Sequence, residues 1–169
     1  MSFNIYLASP RGYCAWVDRA IQILDQSIKK YWAPIYVNHE IIHNKYIVNF
    51  FEKAGAIFEE DLNKIPTGSI IIFSAHGVGP DFRKEVKEKW LKYIDATCPL
   101  VEKVHREAKN YVKDGHHIIY VGKKNHQEAI GVENENPNET YVVHSKSDVD
   151  ELIWLEDKKL ALLTQTTLS

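Results

Sequence analysis

The sequence predicts an α/β protein built around small parallel sheets. Short apolar segments alternate with segments in which apolar residues recur every three or four positions, the spacing of one helix face. The apolar run at residues 69–73 is continuous and lies between Pro66 and Gly77. Such a run is typical of a strand covered on both faces, as in a parallel sheet. The β–α alternation restarts after Cys98, which indicates two similar units.

The first unit is predicted to span residues 14–97. Its apolar helix face recurs from Val17 to Tyr31 and is broken at Pro34, and a second helix closes at Gly55. The predicted elements are, in order, a helix at 17–31, a strand at 35–37, a helix at 47–54, a short strand at 57–58, a strand at 69–73, a helix at about 80–90 and an extended segment at 93–95.

The second unit is predicted to span residues 98–169. Pro99 fits the first turn of its helix, and Ser145 or Ser147 is expected to cap a short helix. The predicted elements are a helix at 99–112, strands at 117–121 and 140–143, a short helix ending near 152 and a strand at 160–163. A helix should follow that last strand, so this unit is expected to be truncated. A separate segment, residues 1–13, contains a predicted strand at 5–7.

Composition narrows the class of protein. Of the 169 residues, 44% are hydrophobic and 26% charged, which predicts a packed core. A net charge of −2 gives no case for nucleic-acid or membrane-surface binding, and no apolar run is long enough to span a bilayer. The N-terminus does not resemble a secretory signal, so we expect a cytoplasmic protein, or a plastid-type location in a eukaryote. Its two cysteines are expected to be reduced.

Reactive side chains follow the predicted strands, at the edge where open parallel sheets bind ligands. Cys14 and Cys98 each open a helix, and the free N–H groups there stabilise the thiolate that binds iron or attacks carbon. The alternative is a small buried hydrophobic residue. The other candidates in this position are His43, His76, His126, Glu128 and Thr166.

The candidate histidines have two possible ligands. Three converging imidazoles bind an anion such as diphosphate when protonated, or a metal when neutral. Glu128 is otherwise a solvated carboxylate, and Thr166 or Thr167 otherwise caps a following helix. The remaining histidines are interpreted as ordinary surface or packed residues: His39, His105, His116, His117 and His144.

Taken together, the motifs resemble those of the 4-hydroxy-3-methylbut-2-enyl diphosphate reductase family, also called LytB or IspH, in both order and spacing. The resemblance covers essentially all of the chain but only the first half of a full family member. The matching segments are PRGYCA (10–15), VDRA (17–20), APIYV (33–37), HEIIHN (39–44), FSAHGV (73–78), DATCPLV (95–101) and TQTTLS (164–169).

The resemblance implies an activity and a cofactor. Family members reductively remove the 4-hydroxyl of (E)-4-hydroxy-3-methylbut-2-enyl diphosphate, an allylic diphosphate, to give isopentenyl and dimethylallyl diphosphate, the last step of the non-mevalonate (MEP) pathway. They use a [4Fe–4S] cluster held by three cysteines and an electron donor such as ferredoxin or flavodoxin. Their fold has three similar α/β units around a central cavity, so this chain is expected to supply one unit and most of a second.

The resemblance also implies residue roles. Cys14 and Cys98 match two cluster ligands, Glu128 matches the acid that takes part in proton delivery, and Thr166 matches the hydroxyl near the substrate's 4-oxygen. The residues that match the surroundings of the substrate and its diphosphate are His43, His76 and His126.

The chain departs from the family pattern in several places. The third cysteine and the Ser and Asn residues that complete the diphosphate site lie beyond residue 169 in the family. Trp16 stands where the family usually has glycine and is expected to crowd the cluster or pack outward. Gln127 replaces a usual proline and is expected to loosen the loop that aims Glu128. By resemblance, the strand at 5–7 pairs with the absent third unit and is expected to be loose or unpaired here.

Three hypotheses follow. The first is the reductase, with the remaining half absent from this sequence or supplied elsewhere. The second is an inactive truncated remnant that lacks a stable cluster. The third is a mononuclear zinc hydrolase that uses Cys14, Cys98 and histidines, which is weakened because no Cys-x-x-Cys spacing occurs.

Overall fold

Two parallel sheets covered by helices form the core of the protein, which confirms the predicted α/β class. The computed structural model describes residues 3–152, 155 and 157–168. The helices are α1 (Ala15–Tyr31), α2 (Lys45–Lys53), α3 (Pro80–Glu88), α4 (Pro99–Lys113), α5 (Gln127–Glu133) and α6 (Lys146–Asp150). The strands are β1 (Ile35–Asn38), β2 (Ala56–Phe58), β3 (Ile70–Phe73), β4 (Lys92–Asp95), β5 (His116–Val121), β6 (Thr140–Val143) and β7 (Lys159–Thr164). No helix in these ranges has both the length and the apolar character that crossing a bilayer requires.

The first sheet has the strand order β2-β1-β3-β4, with every pair parallel. Its strand β3 is the apolar run that the sequence identifies, and Ile71, Ile72 and Phe73 are all fully buried. Because side chains alternate along a strand, Ile72 packs into the cluster under α1 and α2, whereas Ile71 and Phe73 pack into a second cluster on the other face. Burial on both faces explains why β3 lacks a polar stripe.

The second sheet has the order β6-β5-β7 and is also parallel. Its central strand β5 buries Ile118 and Tyr120, which pack against α4 and α5 in a separate apolar cluster. Strand β7 lies at the edge and exposes Leu160 and Leu162. The division into units at residues 14–97 and 98–169 stays a prediction.

Helix starts follow the capping chemistry of the sequence. The Asn44 side chain accepts the backbone N–H of Tyr46 at 3.0 Å and so begins α2. Ser145, rather than Ser147, caps α6 and forms a reciprocal capping box with Asp148. Cys98 is the N-cap of α4, and Pro99 occupies its first turn as expected.

Besides shifts of one or two residues at other ends, three predicted elements differ from the structure. Residues 5–7 form no strand and are exposed, with Tyr6 at 89%. A strand needs a hydrogen-bonded neighbour, and no described strand lies beside this segment. Helix α3 ends at Glu88 instead of Trp90, because Trp90 has a left-handed φ of 58° that cannot continue a helix. Helix α6 ends at Asp150, before the expected Leu152.

The core under α1 is expected to dominate the stability of the first sheet. Leu24 is fully buried there, so Leu24→Ala should lower the free energy of unfolding by about 2–5 kcal/mol. The matched control is Leu160→Ala on the edge strand, where the side chain is 48% exposed. That variant should change stability by about 0.5 kcal/mol or less. Urea unfolding of the two variants measures the difference, and equal losses would contradict the packing described for Leu24.

Candidate active site

A cavity of about 370 Å³ lies at the carboxyl ends of the strands, where loops from both sheets meet. Six of the seven candidate residues line it: Cys14, His43, His76, Cys98, Glu128 and Thr166. The seventh, His126, lies beside it with its Nε2 atom 3.1 Å from Nε2 of His43. These residues come from six different loops or helix starts, and the tertiary fold brings them together. Their chemical roles stay predictions.

The two cysteines occupy equivalent positions in the fold. Cys14 is the N-cap of α1 and Cys98 is the N-cap of α4, and neither side chain makes a capping hydrogen bond. Both are free thiols; Cys14 is exposed and Cys98 is half-buried. The backbone N–H of Cys98 donates to the carbonyl oxygen of Ala75 at 3.0 Å, which ties the start of α4 to the loop that carries His76. Two uncommitted sulfurs on one cavity fit the thiolate ligands that an iron–sulfur cluster takes.

The hydrogen bonds of His126 assign the position of its proton. Its Nδ1 accepts the backbone N–H of Glu128 at 3.1 Å, as the N-cap of α5. A neutral His126 therefore carries its proton on Nε2, where it donates to Nε2 of His43 at 3.1 Å. His43 then keeps its proton on Nδ1, which faces Oε2 of Glu40 at 3.3 Å. The three histidines offer ring nitrogens that all lie within 4.8 Å of one another.

This tautomer bears on the zinc hypothesis. A nitrogen that carries a proton cannot bind a metal, so Nε2 of His126 is a donor as long as Nδ1 accepts from Glu128. Within the described ranges, the group of histidines contains no cysteine among its potential ligands. The arrangement therefore favours an anion over a zinc ion at His126.

The two members of this group that are not fully buried, His43 and His126, have a lowered pKa. Burial lowers the pKa of His43 below its ordinary 6.5, and the His76 imidazole adds to this against the opposing effect of Glu40. Burial also lowers the pKa of His126; the Glu128 carboxylate opposes this, and the imidazoles of His76, His43 and His39 add to it. Both rings are thus neutral at pH 7, and an incoming anion favours their protonation.

Glu128 is a buried carboxylate held by two threonines. Its side chain is 2% exposed, and Oε2 accepts both the backbone N–H of Thr166 at 2.9 Å and its hydroxyl at 2.8 Å. The Thr167 hydroxyl donates to Oε1 at 3.2 Å, and Nδ1 of His76 lies 3.9 Å from the same oxygen. Burial raises the pKa of Glu128, but the His76 imidazole and the Thr166 donors outweigh it and hold that pKa below 4.5. The carboxylate is therefore ionised.

Several residues that the sequence predictions left as ordinary take part in or flank the site. Thr167, considered above as a helix cap, binds Glu128, and no local pattern identifies that contact. His39 packs edge-on to His43 with ring centroids 5.7 Å apart, and its Nδ1 pairs with Oε1 of Glu60 at 2.6 Å. The signal for His39 is the His-Glu-x-x-His spacing of residues 39–43. That pattern binds zinc on a helix, but here the segment is not helical.

The two departures from the family pattern have different surroundings. Trp16 lines the cavity close to Cys14 and remains 42% exposed, so it borders the site without being packed away from it. Gln127 is the first residue of α5, outside the cavity lining. Glu128, the next residue, makes three hydrogen bonds to the threonines, and the expected loosening of its loop stays a prediction.

Neutralising Glu128 is expected to lower the pKa of His126 further. Its carboxylate is the nearby charge that raises this pKa, so Glu128→Gln leaves burial and the other imidazoles unopposed. NMR titration of the imidazole C–H signals measures the shift. His43 serves as the internal control because Glu128 is not among the groups that shift its pKa. A rise for His126, or equal falls for both rings, would contradict this electrostatic description.

The chain is similar in sequence to reductases of one family. The pattern of the LytB protein family matches residues 5–169. The 4-hydroxy-3-methylbut-2-enyl diphosphate reductase of Mycolicibacterium gilvum is 48% identical over 166 residues, which are 98% of this chain and 50% of that protein. The protein of the same name from Corynebacterium diphtheriae is 47% identical, again over 98% of this chain and 50% of the relative.

Solved structures show the same likeness. The E-1-hydroxy-2-methyl-but-2-enyl-4-diphosphate reductase from Plasmodium falciparum superposes with a TM-score of 0.91 at 49% identity, covering 95% of this chain and 51% of that one. A structure of (E)-4-hydroxy-3-methyl-but-2-enyl diphosphate reductase gives a TM-score of 0.83 at 30% identity, covering 98% and 59%. The chain thus spans about half the length of the curated relatives it matches. Since the matching pattern runs from residue 5 to residue 169, the chain belongs to the LytB protein family.

Proposed function

We propose that this chain supplies half of the active site of a 4-hydroxy-3-methylbut-2-enyl diphosphate reductase. The reaction replaces the 4-hydroxyl of the allylic diphosphate with hydrogen, using two electrons and two protons, and releases water with isopentenyl or dimethylallyl diphosphate. A ferredoxin or flavodoxin is the proposed electron donor. The observation that carries the proposal is the convergence of two free thiols, three histidines and the Glu128–Thr166 pair at one cavity.

Cys14 and Cys98 are the proposed ligands that this chain gives to a [4Fe–4S] cluster. Both sulfurs belong to residues that line the cavity, and neither is committed to a disulfide. When bound, the cluster supplies the electrons that cleavage of the carbon–oxygen bond consumes. Trp16 and Leu100 border the same cavity on its cysteine side.

The histidines are the proposed donors to the diphosphate. His126 presents an Nε2–H because its Nδ1 is occupied by the backbone of Glu128. His43 is neutral in the free chain, and a polyanion beside it raises its pKa and converts it into a charged donor. Charge-assisted N–H···O bonds to phosphate oxygens are about twice as strong as neutral ones, so protonation tightens binding.

The Glu128–Thr166 pair is the proposed route for the proton. The hydroxyl donates to the ionised carboxylate at 2.8 Å. When Glu128 takes up a proton, the same contact reverses: the carboxyl group donates to Thr166 and the Thr166 hydroxyl donates towards the leaving oxygen. Hydroxide is a poor leaving group from carbon, so a positioned acid of this kind is required. The negative charge of the substrate raises the pKa of Glu128 and thereby favours its protonated form.

The test uses the product of the full coding sequence that contains residues 1–169, reconstituted anaerobically with iron and sulfide. We expect conversion of the allylic diphosphate into the two isomeric products with a chemically supplied electron donor. The control is Cys98→Ala, which should lose iron and turnover together. A complete protein that holds its full iron content and does not reduce this substrate would refute the proposed function.

A further inference from the structure

We infer that His105 is a positioning residue for this site. Held by Glu135, it sets the spacing between the loop that carries His76 and the helices that carry Cys98 and Glu128. The expected effect on catalysis rests on the proposed function. The geometry rests only on contacts within the folded chain. The sequence gives no sign of the role, because a histidine in mid-helix is an ordinary packed residue by its pattern.

One face of α4 supports the loop after β3. Gly77, which follows His76, has a φ of +77° and approaches this face so closely that a Cβ would lie 3.1 Å from Val101 and 3.5 Å from Nε2 of His105. Val101 and His105 are four residues apart and therefore lie on the same side of the helix. The His76 loop thus rests directly on the helix that begins at Cys98.

Helix α5 also approaches the His105 ring, through Gly131. A Cβ at Gly131 would lie 3.1 Å from Cε1 and 3.2 Å from Nε2 of His105, and 3.6 Å from the backbone nitrogen of Gly79. A Cβ at Gly79 would lie 2.8 Å from Cβ of Asn134. We call this three-way contact the glycine junction, defined by Gly77, Gly79, Gly131 and the His105 ring. The His105 ring lies against Gly77 and Gly131, whereas Gly79 meets α5 directly.

A buried hydrogen bond between His105 and Glu135 holds the ring in place. Nδ1 of His105 lies 2.7 Å from Oε1 of Glu135, which follows α5, and both side chains are about nine-tenths buried. Lys109 approaches the second Glu135 oxygen at 3.4 Å. By contrast, Nε2 of His105 is buried with no hydrogen-bond partner within the described residues. One ring edge is therefore oriented by a short polar contact, while the other edge packs on glycine backbone and acts as a spacer.

The contacts that define the site cross this junction. The Ala75 carbonyl that accepts from Cys98 precedes the junction by two residues, and Glu128 precedes Gly131 by one turn of α5. His76 and Glu128 approach to 3.9 Å from opposite sides of it. A change in the distances between the backbones at the glycine junction therefore moves His76 relative to Glu128 and Cys98. Displacements near 1 Å at reacting groups reduce rates by as much as about 100-fold.

The test compares three variants of the complete reconstituted protein. His105→Leu removes the contact with Glu135, His105→Asn keeps a donor at the position of Nδ1, and Gly131→Ala pushes the ring with a new methyl group while the helical backbone stays favourable. The matched control is Lys103→Met, an exposed position on the same helix. We expect kcat to fall by about 10-fold or more for His105→Leu and Gly131→Ala, with partial recovery in His105→Asn and no change in the control.

Two measurements distinguish a positioning role of His105 from an effect on stability alone, and test that role independently of the proposed function. A merely structural role would lower the unfolding midpoint but leave kcat and KM per folded molecule unchanged. NMR signals of the His76 imidazole in the iron-free protein report its displacement without any turnover, so they test the junction even if the wild type reduces no substrate. If His105→Leu does not fold, the same measurements are made on Gly131→Ala. Wild-type kcat, KM and His76 signals in folded Gly131→Ala would overturn the inference.

Discussion

Glu128→Gln in the complete protein is expected to reduce turnover by about 10²–10⁴-fold, the usual contribution of a positioned acid or base. The amide has the size of the carboxyl group and can still accept from Thr166, so the shape of the cavity should persist. It cannot take up or release a proton at working pH. The loss should therefore appear in kcat, while iron content and substrate affinity remain close to those of the wild type.

The control for this substitution lies on the same helix. Glu133→Gln makes the same chemical change at the other end of α5, where the residue does not line the cavity. That variant should retain turnover. Rates for Glu128→Gln that match the wild type, measured with a chemically supplied electron donor, would rule out the proton-delivery role. A joint loss of iron and turnover would instead assign Glu128 to the integrity of the site.

The 169-residue chain expressed by itself is expected to hold no stoichiometric [4Fe–4S] cluster and to show little or no reductase activity. It contains two cysteines, whereas the family resemblance implies three ligands. Cys14 is also exposed, which leaves iron bound there open to water and oxidation. The apolar side chains of Ile5, Tyr6 and Leu7 are exposed as well, so self-association is expected.

Anaerobic reconstitution of this chain with iron and sulfide tests the expectation through iron content, visible absorption and turnover. The double variant Cys14→Ser, Cys98→Ser measures iron that adheres without thiolate ligands. A stoichiometric cluster in a monomer with near-normal turnover would contradict the prediction. A cluster found only in a dimer would indicate that two copies share their cysteines.

Local chemistry predicted most of the fold. The continuous apolar run at residues 69–73, the break at Pro34 and the cap at Ser145 are all patterns within a few residues of one another. Residues 5–7 form no strand, since their apolar pattern is local but a strand also needs a partner, which the family resemblance places in the absent third unit. Trp90 shows a similar limit, because helix periodicity does not reveal where the backbone turns left-handed.

The sequence by itself determined which elements form and which reactive residues end them, including Cys14, His76 and Glu128, because periodicity and turn chemistry act over a few residues. Only the tertiary structure decided how those residues meet. His126 lies 83 positions from His43, and Thr166 lies 38 positions from Glu128, yet these pairs are within hydrogen-bonding distance. The position of each proton and the spacing at His105 depend on how the two sheets pack. Distances between these groups cannot be predicted to a few tenths of an ångström from a pattern along the chain.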